Sequence, residues 1–214
     1  MSSEEPQAAD LAAELDRRYR QADRLAKEVE NFRDEAVIPA LNELRNAGRH
    51  LIDCIRPDGT IKNDGQYRAA LAHCDRAAYE AAEAGVLTCA RIVRTYRQTF
   101  SNVAISTIVT QFPKIQADVQ TALRDLEIGR DPDTDPATRS TDYMNHFRHL
   151  AKQCDILEGG RDDLCLAQAK IRAEESARKT LTWRFWLGTG IAVIALSVAI
   201  ARVMMNWLQT ASGT

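Results

Sequence analysis

The side chains best suited to chemistry in this sequence are Arg45, Asn46 and His50, within the segment NELRNAGRHLIDCI. An imidazole can take up and release protons near neutral pH, and a guanidinium stabilises negative charge that develops at a phosphate. These are the groups that metal-free cleavage of RNA needs. On a helix, Asn46 and His50 share one face, and Arg45 flanks it.

This segment, together with QYRAALAHCDRAAYEA one turn later, resembles helical HEPN-type domains, which occur in many prokaryotic toxins and defence proteins. Ribonuclease members of that family carry an arginine, often followed by Asn, His or Asp, and then a histidine after a short gap. The resemblance covers residues 30–110. It implies that Arg45, Asn46 and His50 are catalytic residues and that a homodimer completes the site. The motif lies early in the chain here, whereas it lies late in the bundle in the family.

A structural interpretation of the same residues stays open. Only the first arginine–histidine pair has a favoured residue after the arginine, but two more pairs have an allowed spacing, Arg68 with His73 and Arg139 with His146. In the structural alternative, Arg45 and Arg49 are solvated and His50 packs at the edge of a bundle. The sequence therefore leaves open whether the protein is an enzyme, with an endoribonuclease as the enzymatic alternative.

Neither a metal nor a cofactor is predicted. Imidazole and thiolate groups suit zinc, and the candidates are His146, His149, Cys154 and Cys165. Their spacing matches no short ligand knuckle, so we expect two surface histidines and two packed thiols. A phosphate-binding glycine loop, a GxSxG elbow and an HExxH pair are all missing from the sequence.

A membrane anchor is predicted near the C-terminus. The residues from Phe185 to Ala201, FWLGTGIAVIALSVAIA, carry no charge, and the apolar character continues beyond Arg202 to Leu208. A spanning helix needs about 20 mostly apolar residues, and aromatic rings favour its borders. All three tryptophans lie at the borders of this segment: Trp183, Trp186 and Trp207. A buried core helix is the alternative that these borders disfavour.

The basic residues around the segment predict its orientation. Only Arg202 follows its charge-free core, whereas five basic residues precede it: Lys170, Arg172, Arg178, Lys179 and Arg184. The positive-inside rule then places the N-terminal part in the cytoplasm. The acidic start, MSSEEPQAAD, leads into no apolar run, so no secretory signal peptide is expected. Five cysteines without a CxxC pair fit a reducing compartment.

Composition and periodicity predict an all-α protein. Ala, Leu, Glu and Arg are abundant, Pro and Gly are few, and no strand-like alternation stands out. The first predicted helix carries apolar residues at alternate spacings of four and three, apart from one arginine. This pattern fits equally a coiled-coil seam or the inward stripe of a bundle helix. The positions are Leu11, Leu15, Arg18, Ala22, Leu25, Val29, Phe32 and Ala36.

Proline and glycine mark the predicted helix boundaries. Pro39 should break the chain before a second helix that ends near Ile55. A third helix starts near Gly65 and extends past Ser106, because no proline follows until Pro113. A short helix then runs from Lys114 to Ile128, and the last soluble helix opens at Ser140 and breaks at Gly159-Gly160.

The predicted fold is an elongated helical bundle with long N-terminal helices, a charged helical stalk and one C-terminal transmembrane helix. The predicted organisation is a cytoplasmic bundle at residues 1–130, a loop at 131–139, a helical stalk at 140–182, a transmembrane helix at 183–208 and a short tail at 209–214. This is a tail-anchored, single-pass layout.

Its predicted partners are the lipid bilayer, through residues 183–208, and either a second copy of the chain or another helical protein. The 28 basic and 30 acidic residues nearly cancel, so no DNA partner is expected. We expect protein interaction or signalling at the membrane. The alternative is a membrane-tethered, HEPN-like, metal-independent ribonuclease that acts on RNA as a dimer.

Overall fold

The computed structural model describes residues 8–57, 60–62, 65–128 and 136–211. Within these ranges the chain is all-helical, apart from one isolated bridge between Ile55 and Ile61. The helices in chain order are α1 (Ala8–Arg33), α2 (Ile38–Cys54), α3 (Gly65–Thr99), a 3-10 turn (Ile105–Thr107), α4 (Phe112–Ile128), α5 (Pro136–Gly159) and α6 (Arg161–Ala211). The predicted all-α class is confirmed.

The chain forms two compact units, Met1–Asp162 and Asp163–Thr214. The first unit contains α1 to α5, and α6 supplies nearly all of the second. Of the predicted loop, residues 131–135 lie outside the described part of the chain, whereas residues 136–139 form the first turn of α5.

The break between α1 and α2 lies just before the predicted proline. Asp34 has a φ of 55°, in the left-handed region that ends helices, so α1 stops there. Pro39 occupies the first turn of α2, where its missing N–H costs nothing. The turn is tied to α1 by the backbone N–H of Val37, which donates to the carboxylate of Glu30 at 3.2 Å.

The apolar stripe of α1 faces inward within the same chain, as the bundle alternative predicts. Five of its members are buried, namely Leu11, Leu15, Ala22, Leu25 and Val29. Arg18 bridges to α3 instead, where its guanidinium donates to both carboxylate oxygens of Asp75 at 2.6 and 2.8 Å. Ala36, the last position of the predicted seam, is exposed. The stripe therefore packs against α3.

α3 is the central helix of the first unit and packs against α1, α2, α4 and α5. Small residues on several of its faces allow close approach. A Cβ atom at Gly85 would lie 2.5 Å from the Phe147 ring of α5, so no larger residue fits without movement. α3 ends at Thr99, before the predicted end. The polar pair Ser101-Asn102 favours a turn there, and Phe100 and Ile105 are buried beyond the helix end.

α5 belongs to the first unit, although the sequence predicts a helical stalk at residues 140–182. Its buried side chains include Tyr143, Phe147, Leu150 and Leu157, and it packs against α3 and α4. This apolar face, rather than the charge pattern around it, decides where the helix lies. The break after α5 falls at the predicted glycine pair.

α6 continues as one helix from the charged segment into the apolar segment. It is the one helix among the described residues that is long and apolar enough to cross a membrane. Trp183 and Trp186 are exposed. The hydroxyls of Thr189 and Ser197 donate to carbonyl oxygens one turn earlier, both at 2.9 Å, so neither leaves an unsatisfied polar group.

Candidate functional site

α2 and α3 form an antiparallel pair that positions the predicted catalytic residues. α2 buries Leu44 and Ala47 against the core, which leaves Glu43 and His50 half-buried at the edge facing α3. His50 reaches the start of α3, where its Nδ1 lies 2.5 Å from the amide oxygen of Gln66. The edge between these two helices is therefore the site to consider.

The three predicted residues do not meet as a group. Arg45 and Asn46 are exposed, and the guanidinium of Arg45 donates to the side-chain oxygen of Asn42 at 3.4 Å. Arg45 and His50 are five positions apart, which turns their side chains about 140° from each other around the helix. Arg45 therefore lies away from the edge that His50 faces.

The structure brings a second histidine to His50 instead. The rings of His50 and His73 lie 5.0 Å apart between centroids and are nearly parallel, at 15°. His73 belongs to the second arginine–histidine pair, whose arginine, Arg68, is exposed. Sequence reasoning missed this contact. The antiparallel register of two helices joined by a short turn was the signal that could have found it.

His73 is held by a carboxylate and a guanidinium. Its Nδ1 lies 2.6 Å from Glu43 Oε2, and the Nε of Arg76 donates to the same oxygen at 2.9 Å. Desolvation raises the pKa of Glu43, but the hydrogen bonds from Arg76 and His73 outweigh it and hold that pKa below its usual value. Glu43 is therefore an anion that orients the His73 ring.

The hydrogen-bond partners of the two rings differ. An amide oxygen can only accept, so the Nδ1 atom of His50 donates to Gln66, and its Nε2 atom has no partner among the described residues. The Nδ1 atom of His73 lies near an acceptor, Glu43 Oε2 at 2.6 Å, and near a donor, the Nη2 of Arg76 at 2.8 Å. The contacts of His73 therefore fit either tautomer of its ring, and the edge presents two imidazole rings side by side.

The same edge carries acidic groups that make its electrostatic potential more negative. Arg76 is 49% exposed and provides the nearest cation, but Glu43 already pairs with it. Burial raises the pKa of Glu80 on α3, and the nearby charges of Glu83 and Glu43 raise it further. An anionic substrate would therefore have to compete with Glu43 for the guanidinium of Arg76.

The candidate zinc ligands do not assemble. His146 and His149 each pair with an aspartate of α4, Asp125 at 2.9 Å and Asp118 at 3.0 Å. No cluster of three or more potential metal ligands occurs in the described part of the chain. Hydrogen bonds from His149 and Gln153 hold the pKa of Asp118 below its usual value.

The predicted packing of the two thiols is half right. Cys154 is buried, whereas Cys165 is exposed near the start of α6. Cys165 belongs to the second unit. All five cysteines are free.

Comparison with known proteins found no matching family model, no matching curated protein and no matching solved structure.

Proposed function

We propose that the chain is a single-pass membrane protein that displays the α1–α5 bundle at the cytoplasmic surface for protein interaction or signalling. The observation that carries this proposal is α6, a helix with an apolar stretch whose side chains are not buried. In water such a stretch would be strongly unfavourable, whereas the interior of a bilayer is its natural solvent. The segment of α6 before Trp183 is then a charged stalk.

The proposed orientation follows from charge. The residues just before the apolar stretch are rich in Lys and Arg, and only Arg202 follows its charge-free core. Basic residues stay on the cytoplasmic side of a membrane, and Arg202 can extend its side chain to the headgroups. A helical protein or a second copy of the chain is the proposed partner of the displayed bundle.

Membrane extraction tests the anchor. The full chain should remain in the membrane pellet after alkaline washing, and a chain that ends at Lys179 should be soluble. Ile194→Arg should insert poorly, because an arginine at mid-bilayer costs about 2.5–3.5 kcal/mol on insertion scales, and Ile194→Leu is the matched control. If the chain ending at Lys179 stays with the pellet, a different element binds the membrane and the proposal fails.

The second candidate function is metal-independent RNA cleavage by a membrane-tethered, HEPN-like dimer. The contact between His50 and His73 favours it, because cleavage needs one group to accept a proton and another to donate one. One imidazole takes the proton of the ribose 2′-hydroxyl, and that oxygen attacks the phosphorus. The bond from phosphorus to the 5′-oxygen breaks, and the other imidazole protonates the leaving oxygen. The products are a 2′,3′-cyclic phosphate and a 5′-hydroxyl.

This candidate changes which residues are expected to matter. Arg76, three positions after His73 on α3, would stabilise charge on the phosphate, a role that the resemblance gave to Arg45. Both His50→Ala and His73→Ala should abolish cleavage by the full chain, and Arg76→Ala should lower it strongly. Arg68→Ala, at an exposed residue of α3, is the matched control and should cleave normally. Absence of cleavage by the unmodified chain, or normal cleavage by either histidine variant, would remove this candidate.

A further inference from the structure

The second half of α3 carries positive charge without nearby acidic residues. From Ala84 to Ala117 the sequence contains Arg91, Arg94, Arg97 and Lys114 and no Asp or Glu. The rest of the chain mixes the two signs, since the totals nearly cancel. This local imbalance sets the segment apart from the ion-paired surfaces of α1 and α2.

The three arginines form one exposed surface, which we call the arginine face: Arg91, Arg94 and Arg97. Their spacing of three residues places them along one side of α3, and all three are exposed. No described carboxylate pairs with any of them. Elsewhere in the first unit, by contrast, Arg18 pairs with Asp75 and Arg148 pairs with Glu28. The charge of the arginine face is therefore available to an external anion.

A groove beside this face is lined by hydrogen-bond donors. It encloses about 140 Å³ between α3 and α4, and its polar side chains are Arg94, Arg97, Gln116 and Gln120. Guanidinium and carboxamide groups all donate hydrogen bonds, and none of these four carries negative charge. Such a groove suits a phosphate group, which accepts several hydrogen bonds and carries negative charge.

The arginine face lies at the end of the first unit from which the chain continues to α6. The hydroxyl of Tyr96, next to Arg97, donates to the carbonyl oxygen of Leu157 at 2.8 Å. Gly160, the residue between α5 and α6, lies against Val109, since a Cβ there would be 2.6 Å from that side chain. The chain therefore leaves the first unit beside the C-terminal end of α3.

We infer that the arginine face binds anionic phospholipid headgroups of the bilayer that holds α6. This inference rests on the proposed membrane anchor. The anchor keeps the bundle close to headgroups at high effective concentration, and the cytoplasmic leaflet is the anionic one. Arg97 lies 31 positions beyond Gln66 on α3, about 46 Å along the helix axis, so the arginine face is a separate site from the His50–His73 edge.

The expected size of the effect is set by charge. Each basic residue near an anionic surface favours binding by roughly fivefold, so three arginines give about a hundredfold preference for the docked arrangement. High salt should remove most of this preference, because the Debye length falls from about 10 Å at 0.1 M ionic strength to about 3 Å at 1 M.

Arginine modification in vesicles tests the inference. The full chain is inserted into phosphatidylcholine vesicles, or into vesicles with about one third phosphatidylserine. Modification of each arginine by phenylglyoxal is then followed by mass spectrometry. Arg91, Arg94 and Arg97 should react at least fivefold more slowly in the anionic vesicles, and high salt should restore their rates. Arg45 and Arg68, exposed arginines of α2 and α3, are internal controls and should react equally in both vesicles.

Each other outcome overturns the inference in a recognisable way. Equal rates at the arginine face in both vesicles, with the chain inserted, would show that the face binds no anionic lipid. Protection by added RNA or inorganic phosphate but not by phosphatidylserine would assign the face to a soluble anion instead. If alkaline washing releases the chain from both vesicles, the proposed anchor itself fails.

Discussion

At the scale of single residues, the chemistry of the α2–α3 edge depends on pairs of side chains that are far apart in the sequence. Arg45, Asn46 and His50 were predictable as a group because they are close in sequence. The contact of His50 with His73 was not, because it depends on the register of two antiparallel helices. Spacing on one helix fixes a face, but it does not fix what that face meets.

The carboxylate of Glu43 makes stability at this edge depend on pH. Its pKa is lowered in the folded protein, so its contribution is complete above the unfolded value near 4.5 and is lost as the pH falls through the folded value. The unfolding free energy of the unmodified chain should therefore drop more between about pH 5 and pH 3 than that of Glu43→Gln. Urea unfolding at several pH values measures the difference.

The control for this prediction is Glu127→Gln, at an exposed glutamate near the end of α4. It should follow the pH dependence of the unmodified chain. A Glu43→Gln variant that also follows it would mean that Arg76 and His73 do not stabilise the Glu43 anion.

At the scale of helices, close packing of α3 against α5 depends on one small residue. Gly85→Ala should destabilise the protein by about 1–3 kcal/mol, because the new methyl group would overlap the buried ring of Phe147. Gly48→Ala is the matched control in the middle of α2, where a Cβ meets nothing within 4 Å. It should stabilise by about 0.5–1 kcal/mol through helix propensity alone. Thermal or urea unfolding of both variants measures these changes in unfolding free energy. Changes of the same sign in the two variants would contradict the close packing of α3 on α5.

The inward stripe of α1 gives a second prediction at this scale. Leu25→Asp should destabilise by more than about 3 kcal/mol, because it removes a packed side chain and places a carboxylate in its position. Ala36→Asp changes an exposed position of the same predicted seam and should alter stability by less than about 0.5 kcal/mol. Unfolding curves that move equally for the two variants would mean that the stripe is not buried as described.

At the scale of the whole molecule, the fold was more predictable than the site. Helix propensity, Pro39 and the glycines at 159 and 160 located most helix ends. The membership of α5 in the first unit was harder to predict, because it depends on which partner its apolar face meets. The partner of the α1 stripe was equally hard to predict, because a coiled-coil seam and the inward face of a bundle helix have the same spacing of apolar residues. The apolar stretch of α6 stood out because its signal is local and needs no partner.

We propose that α6 crosses the bilayer once and keeps the bundle in the cytoplasm. The most direct measurement fuses a reporter of compartment either before Met1 or after Thr214 and determines where each one is active. We predict a cytoplasmic reporter before Met1 and a reporter outside the cytoplasm after Thr214, because the basic residues precede the apolar stretch. Two reporters on the same side of the membrane, or a cytoplasmic reporter after Thr214, would contradict it.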